Sequence, residues 1–371
     1  MVFIVFIGLK TSFVLDIFFT FAKKAMPTFH PLKVSGIERT TSEAVVISFE
    51  VPDQLKSKYS FSSGQYISLE AEISGSLLRR SYSLCSTPQQ NILSIGVKEV
   101  PNGVFSSYIN QSLRVGDILN VSTPDGRFVY DLENENSSIL AIAAGSGITP
   151  IFSILNSFLI QKKASKFTLI YGNKTPKQSM FYKELKILEE KHAERLKIHW
   201  VFSQSNEEGG LFGRIDASVI NFVLDQKQSL PDQSFLCGPE PMILNNIEDL
   251  TKKGVSKQTI HFELFTASTE EKEIENKVDK GRFNLTCDDV TYHLELIPDK
   301  TLLDIALSSK LEVPYSCQGG VCSSCIARVK EGKASMLTNQ ILTDSEIEEG
   351  LVLSCQAVAQ SNFISLDYDD V

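Results

Sequence analysis

The stretch Tyr315–Cys325, YSCQGGVCSSC, places three cysteines as C-x4-C-x2-C, and a fourth, Cys355, follows after twenty-nine intervening residues. Four thiolates at that spacing, Cys317, Cys322, Cys325 and Cys355, can hold the two irons of a 2Fe-2S cluster. Disulfides and a zinc site are the competing readings, but zinc sites favour two C-x2-C pairs and this stretch supplies one. Gly319 and Gly320 fall in the first gap, where the backbone must curl around an inorganic core and needs positive φ or an approach without a Cβ. Ser316, Ser323 and Ser324 are small enough to leave room there. A cluster of this kind moves one electron at a time, so the rest of the chain has to show where the electron comes from.

At 371 residues the chain is too long for one ordinary core. About 100 to 200 residues per domain gives two to four domains, and three is the working number. A hydrophobic share of 42% with 22% charged residues excludes disorder throughout. The formal charge of -9 is uneven: from Arg282 onward, six Lys and Arg stand against fourteen Asp and Glu. That argues against nucleic acid and for docking on a basic patch of a protein. Seven cysteines, four of them in the motif, point to a reducing compartment, and Cys85, Cys237 and Cys287 are expected to be buried free thiols. The cytoplasm is the expected location. Residues 1–25 are apolar, but Lys10 and Asp16 interrupt the run, and a spanning helix wants about 20 consecutive apolar residues. They read as an extension ahead of a start at Met26, with a membrane anchor as the alternative.

Upstream of the cysteines, residues 266–281 have high charge density and no apolar periodicity, and read as a linker. A flexible tether of that length reaches about 20 Å, enough for a mobile third domain. Residues 282–371 then carry strands FNLTC and VTYHLELI, a helix TLLDIALSSK capped at Asp299 or Thr301, the cysteine loop, and strands IARVKEGKA and FISLDY. Residues 134–265 alternate strand and helix, which implies a doubly wound parallel sheet. Gly145, Ser146, Gly147 and Thr149 follow its first strand, where such sheets bind ligands and a helix N-terminus attracts pyrophosphate. Pro150 replaces the third glycine of the usual dinucleotide fingerprint. Residues 26–133 show short β-branched runs between Gly, Pro and Asn turns, the spacing of an antiparallel barrel. Within them, RSYSL puts Arg80 and Tyr82 on one face of a strand and Ser83 on the other. GVFS follows, with Gly103 permitting close approach and Ser106 opening a short helix as an anion site.

RSYSL followed by GVFS resembles the flavin-binding barrel of the ferredoxin-NADP reductase superfamily. GSGITP, YGN at Tyr171–Asn173 and CGPEPM at Cys237–Met242 resemble its nicotinamide domain in the same order, and the cysteine spacing is similar to that of plant-type ferredoxins. The resemblance covers essentially everything after Met26. It implies a multidomain α+β and α/β protein: a flavin-binding β-barrel, a nucleotide-binding parallel sheet and a C-terminal β-grasp ferredoxin domain. It also implies that Arg80 pairs with the FAD pyrophosphate, Tyr82 stacks on the isoalloxazine and Ser83 hydrogen-bonds the flavin N5. Val97, Lys98, Gly103, Val104 and Ser106 complete that cradle. Guanidinium suits bidentate phosphate recognition and a phenol can cover a flat ring, so the chemistry agrees. Cys237 is then expected beside the nicotinamide, with Gly238 and Pro239 shaping its shelf, and Glu263 and Phe265 on the flavin's far side. A buried core position is the alternative for Phe265. Asp125, Gly126 and Arg127 read as a turn with no role beyond shape.

The module order implies electron flow from NADPH to FAD to 2Fe-2S to an external acceptor, with the cofactors carrying the bond chemistry. Ser203, Gln204 and Arg214 lie where relatives contact the 2′-phosphate, which favours NADPH over NADH. Plant-type clusters lie near about -400 mV, low enough to reduce a non-haem iron centre. The acceptor that the resemblance implies is a diiron oxygenase, foremost one that epoxidises phenylacetyl-CoA in phenylacetate breakdown. Reductases of other ring- or steroid-hydroxylating oxygenases share the architecture. A stand-alone redox sensor or electron carrier is the reading of another class, and the intact nucleotide motifs argue against it. The acids expected to face the acceptor are Asp344, Glu346, Glu348, Glu349, Asp367, Asp369 and Asp370.

Overall fold

Alternation of inward apolar and outward polar residues builds the first sheet in a computed structural model that describes residues 28–130, 137–162, 164–226, 229–265, 280–315 and 317–371. Its strands are β1 (Phe29–Thr41), β2 (Ala44–Glu50), β3 (Tyr66–Ile73), β4 (Ser76–Ser83), β5 (Leu93–Lys98) and β6 (Ile118–Ser122). They lie in the order β4-β3-β6-β1-β2-β5, with every pairing antiparallel. A bridge from Leu84, just past β4, to Ile95 of β5 ties the two edge strands together, as a barrel requires. Leu32, Ile47, Ile67, Leu69, Ile95 and Val121 fill the interior with no measurable exposure. The one α-helical turn here, α1 (Val104–Ser107), sits outside that core's strands.

The second sheet is parallel because each strand of a near-continuous apolar run is followed by a crossover. Its strands are β7 (Ser138–Ala144), β8 (Lys166–Asn173), β9 (Leu196–Phe202), β10 (Leu211–Phe212), β11 (Gln233–Gly238) and β12 (Ile260–Leu264). The helices are α2 (Ile148–Gln161), α3 (Tyr182–Lys191), α4 (Ala217–Asp225) and α5 (Glu240–Lys252). The strand order β10-β9-β8-β7-β11-β12 starts in the middle, runs outward to β10 and returns to the far side of β7. Residues of α2 and α3 pack on one face of the sheet, those of α4 and α5 on the other. The order therefore reverses between β7 and β11, and the crevice outside their carboxyl ends is the place such a sheet offers a ligand. Ala44 and Cys85 of the first domain join the core on the α2 face, so the two domains share one packed interior.

The third domain combines β13 (Arg282–Cys287), β14 (Val290–Glu295), β15 (Ile326–Glu331), β16 (Ala334–Met336), β17 (Leu351–Leu353), β18 (Ala357–Ala359) and β19 (Phe363–Asp367) with α6 (Leu302–Ser308) and α7 (Asp344–Glu348). Five strands form a mixed sheet, β14-β13-β19-β15-β17, in which β13 and β19 run parallel. This is the expected β-grasp arrangement. Thr301, and not Asp299, caps α6: its hydroxyl accepts from the Asp304 amide while the Asp304 carboxylate accepts from the Thr301 amide. The N-terminal extension and nearly all of the 266–281 linker lie outside the described residues. Among the described residues no helix is long and apolar enough to cross a membrane.

Candidate electron-transfer site

Three short motifs meet at the carboxyl ends of β7, β8 and β11. Gly145–Gly147 form a tight turn that runs into α2. A Cβ on Gly147 would lie 2.1 Å from the Cys237 carbonyl oxygen, so only glycine lets the turn approach β11 this closely. Tyr171 locks the same turn from the other side, its hydroxyl donating to the Gly145 carbonyl at 3.1 Å. Thr149 Oγ1 donates back to the Ser146 carbonyl at 3.0 Å. Beside Gly145 there is open space, since a Cβ there would meet nothing within 4 Å. A cradle of this shape ahead of a fourteen-residue helix fits the diphosphate of a dinucleotide.

Cys237 is wholly buried at the end of β11, and burial, with the Glu263 carboxylate beside it, pushes its thiol pKa up. Gly238 follows it and Pro239 is the N-cap residue of α5. Cys237 pairs in register with Glu263 of β12. Glu263 in turn reaches the barrel: its Oε2 accepts a hydrogen bond from Ser83 Oγ at 2.9 Å. Burial raises the Glu263 pKa from its ordinary 4.5 to about 8, the Ser83 hydrogen bond opposing the rise and the Cys322 sulfur adding to it. At neutral pH the carboxyl therefore holds a proton one hydrogen bond from Ser83.

On β4, Arg80 is exposed and Tyr82 is half-buried, its ring 6.1 Å from that of Phe105 in α1. That contact brings GVFS beside RSYSL, and Val104 is left 56% exposed there. An exposed guanidinium, a phenol and an uncovered valine on these neighbouring segments are a set suited to a diphosphate and a flat apolar ring. Two expected cradle residues depart from the reading. Ser106 is buried and its Oγ is engaged within its own loop, accepting from the Val100 amide at 3.1 Å and donating to the Gly103 carbonyl at 3.3 Å. Val97 belongs to the barrel core, so any part it has falls to its main chain. Lys98 pairs with Glu43 at 3.6 Å.

The residues expected at the 2′-phosphate lie at an open edge. Ser203 donates its amide to the Asn173 carbonyl at 3.0 Å, while Gln204 and Arg214 are exposed. Phe265, 39% exposed, is not a core residue, so the buried alternative for it is withdrawn.

In the third domain the cysteine loop curls as its glycines suggest, with Gly320 at φ 73° and Gln318 at φ 54°. The four thiols neighbour one another in two pairs, Cys317 beside Cys322 and Cys325 beside Cys355. Among the described residues no three His, Cys, Asp or Glu converge as ligands of one metal ion. Two pairs are instead what a binuclear cluster asks for, two thiolates for each iron, so the donor set fits 2Fe-2S and not mononuclear zinc. The Cys322 hydrogen bond and the backbone amides of Gly319 and Val321 hold the Cys317 thiol down at about 7. The Cys322 and Cys325 thiols are pushed up.

This loop does not stand free. Val321, 4% exposed, packs into the core on the α4/α5 face of the nicotinamide domain, and half-buried Cys317 lies against the same core. A crevice of about 150 Å³ runs along the join, lined by Tyr66, Arg127, Glu263, Val321, Cys322 and Gln340 among others. Tyr66 Oη lies 2.6 Å from Ser324 Oγ. Arg79, paired with Glu70 at 2.5 Å, donates from Nη1 to the Tyr315 carbonyl at 2.9 Å and covers the Tyr315 ring, 4.0 Å from its centroid. Gln340 donates to Glu240 at 2.8 Å, and Arg127 pairs with Glu346 at 2.6 Å. Arg127 thus bridges two domains, which corrects its reading as a plain turn residue. Glu346 is likewise not free for an acceptor, and neither are Asp370, paired with Lys330 and Arg328, nor Asp369, which accepts from the Asp288 and Asp289 amides. Asp344, Glu348 and Glu349 remain exposed. Sequence reasoning missed Tyr66, Arg79 and Arg127 because their partners are more than two hundred residues away.

Three family models match the chain: an oxidoreductase FAD-binding domain over residues 31–130, an oxidoreductase NAD-binding domain over 141–246 and a 2Fe-2S iron-sulfur cluster binding domain over 285–360. A component of 1,2-phenylacetyl-CoA epoxidase from Escherichia coli (strain K12) is 38% identical over 93% of this chain and 99% of its own length. The ferredoxin reductase component of 3-ketosteroid-9-alpha-monooxygenase from Rhodococcus rhodochrous is 31% identical over 91% of this chain and 96% of its own. Among solved structures, phthalate dioxygenase reductase, which moves electrons from pyridine nucleotides to [2Fe-2S], aligns at TM-score 0.59 and 25% identity over 91% of this chain and 98% of its own. An intact type IV self-sufficient cytochrome P450 monooxygenase shares the fold at TM-score 0.67 and 20% identity over 91% of this chain, which spans 41% of its length.

Proposed function

The chain belongs to the ferredoxin-NADP reductase superfamily, among the oxygenase reductases that join FAD-binding, NAD-binding and 2Fe-2S domains, and on that premise we propose that it carries electrons from NADPH to a diiron phenylacetyl-CoA 1,2-epoxidase of phenylacetate catabolism. FAD, when bound, would supply the conversion between a two-electron hydride donor and the one-electron transfers that a 2Fe-2S cluster needs. The observation that carries the reading is the Ser83–Glu263 hydrogen bond of 2.9 Å, made beside the crevice that Cys322 also lines. It joins the strand that would hold a flavin to the sheet that would hold a nicotinamide, and Glu263 lines the same crevice as Cys322 of the loop that would hold the cluster.

Each residue then acts by position. Ser83 would lie beside a bound flavin's N5, and Glu263, which accepts its hydrogen bond and holds a proton, keeps that hydroxyl oriented and the region neutral. Tyr82 would cover a flavin ring, Arg80 would meet its diphosphate, and Lys98, Gly103, Val104, Ser106 and the main chain of Val97 would border it. Gly145, Ser146, Gly147 and Thr149 receive the nucleotide diphosphate, and Cys237, Gly238 and Pro239 form the nicotinamide shelf. Ser203, Gln204 and Arg214 would select the 2′-phosphate, and Phe265 is exposed just past β12, toward the flavin's far side in the proposed arrangement. Cys317, Cys322, Cys325 and Cys355 hold the irons. Proximity does most of the work, since holding two reactants in contact removes much of the barrier. Domains of 26–133, 134–265 and 282–371 joined by a linker at 266–281 suit this division, and free thiols suit the cytoplasm.

Reconstitution tests the acceptor. With a diiron phenylacetyl-CoA oxygenase, NADPH should drive epoxide formation, and the rate should fall as salt rises past about 0.1 M, because Asp344, Glu348 and Glu349 steer the encounter. Cytochrome c reduction together with an oxygenase that accepts electrons only from another reductase would remove this acceptor, and transfer to a steroid hydroxylase would replace it.

A further inference from the structure

Tyr66 stands where all three domains meet, and none of the roles above uses its hydroxyl. It opens β3, pairs in register with Ser83 on β4, and is 5% exposed. On its other side the backbone is pinned by reciprocal hydrogen bonds with Asp125, at 2.8 and 3.0 Å. From this fixed base the phenol reaches Ser324 Oγ at 2.6 Å, with Asp125 Oδ2 a longer contact at 3.5 Å. Ser324 lies between Cys322 and Cys325, which belong to different thiol pairs. Two further ties from barrel to third domain engage residues farther from these two thiols in sequence: Arg79 holds Tyr315, and Arg127 holds Glu346.

We propose that Tyr66 is a positioning residue for the flavin-to-cluster step, its hydroxyl holding Ser324, and with it both thiol pairs, at a fixed separation from Ser83. The step passes one electron from reduced flavin to oxidised cluster; no bond forms or breaks and Tyr66 exchanges no proton. The proposal rests on the electron order given above. Displacement of reacting centres by about 1 Å is enough to cost rate, so a hydroxyl that fixes the loop acts on transfer without touching either cofactor.

Three variants of the holoprotein test it: Tyr66→Phe, Ser324→Ala and the double substitution. Cluster reduction is followed after rapid mixing with NADPH, ferricyanide reduction is measured in parallel, and amide hydrogen exchange is read across residues 317–325. Tyr66→Phe keeps the ring and should slow cluster reduction roughly three- to tenfold, the scale of one lost hydrogen bond. Ser324→Ala leaves the buried phenol short of its close partner and should slow it more. The double variant should return to the Tyr66→Phe level, a non-additive result. Exchange across 317–325 should rise in both single variants while ferricyanide reduction stays at the unsubstituted rate. Unchanged cluster reduction in Tyr66→Phe, or strictly additive losses with unaltered exchange, would overturn the positioning role. If the unsubstituted protein reduced its cluster without first reducing flavin, the underlying electron order would fail instead.

Discussion

The two ends of the nicotinamide crevice are built on opposite terms. At the inner end, Ser83, Glu263, Cys237, Tyr66 and the cysteine loop interlock across three domains, with hydrogen bonds of 2.9 and 2.6 Å and a glycine that tolerates no Cβ. At the outer end, Gln204 and Arg214 lie exposed along a lip formed by the ends of β9 and β10, while Phe265 lies exposed past β12 at the opposite edge of the sheet. Electron and hydride transfer need fixed separations, so the inner end is locked by packing. Recognition of a cofactor's phosphate needs only a charge at the right edge, and in the proposed reading the solvated Arg214 would supply it without disturbing the core.

Changes at the outer end should therefore move affinity in large, separable amounts. Arg214→Ala should weaken NADPH roughly ten- to over a hundredfold, as expected for one charge-assisted contact of about 1.5 to 3 kcal/mol, and leave NADH almost untouched. Km for both cofactors measures this directly. Equal efficiency with NADH and NADPH in the unsubstituted protein would show that the lip makes no selection.

The inner end should respond to pH. Glu263 has a folded-state pKa of about 8 against an ordinary 4.5, so between those values the folded chain holds a proton that the unfolded chain has lost. Its contribution to stability is then fully present below about pH 4.5 and declines as pH rises through about 8. Glu263→Gln should flatten the fall in melting temperature between pH 6 and 9, scanned at those pH values. An unchanged slope would mean that the carboxyl is not held protonated in the locked junction.

The locked and open ends are not equally legible in the sequence. The barrel and the parallel sheet follow from period-two runs and strand-helix alternation, and the resemblance of the cysteine spacing to plant-type ferredoxins implies the β-grasp domain, because each signal depends on residues close in sequence. The GSGITP turn, YGN and CGPEPM stand as separate strings, and the sheet order explains why they belong together: β8 and β11 flank β7. The ties between domains leave no such trace. Tyr66 looks like any strand tyrosine, and its partner lies 258 residues downstream. Arg127 reads as a turn residue until Glu346, 219 residues away, is placed against it. Ser106 has the right residue type for an anion site, but its hydroxyl is engaged by the Val100 amide, a local competition that composition does not reveal. The same limit applies to the acidic third domain. Its charge is countable, but which acids are already paired depends on Arg328, Lys330 and Arg127 finding them.

The central claim is that electrons pass through the flavin strand to the cysteine loop and only then outward. Replacing Cys322 by Ser removes one thiol of the Cys317 pair while leaving Ser83, Glu263 and the nucleotide crevice in place. With NADPH, the folded and FAD-loaded variant should keep its ferricyanide reduction and lose transfer to the oxygenase and to the cluster altogether. Loss of both activities in such a preparation, or continued delivery to the oxygenase, would contradict the electron order.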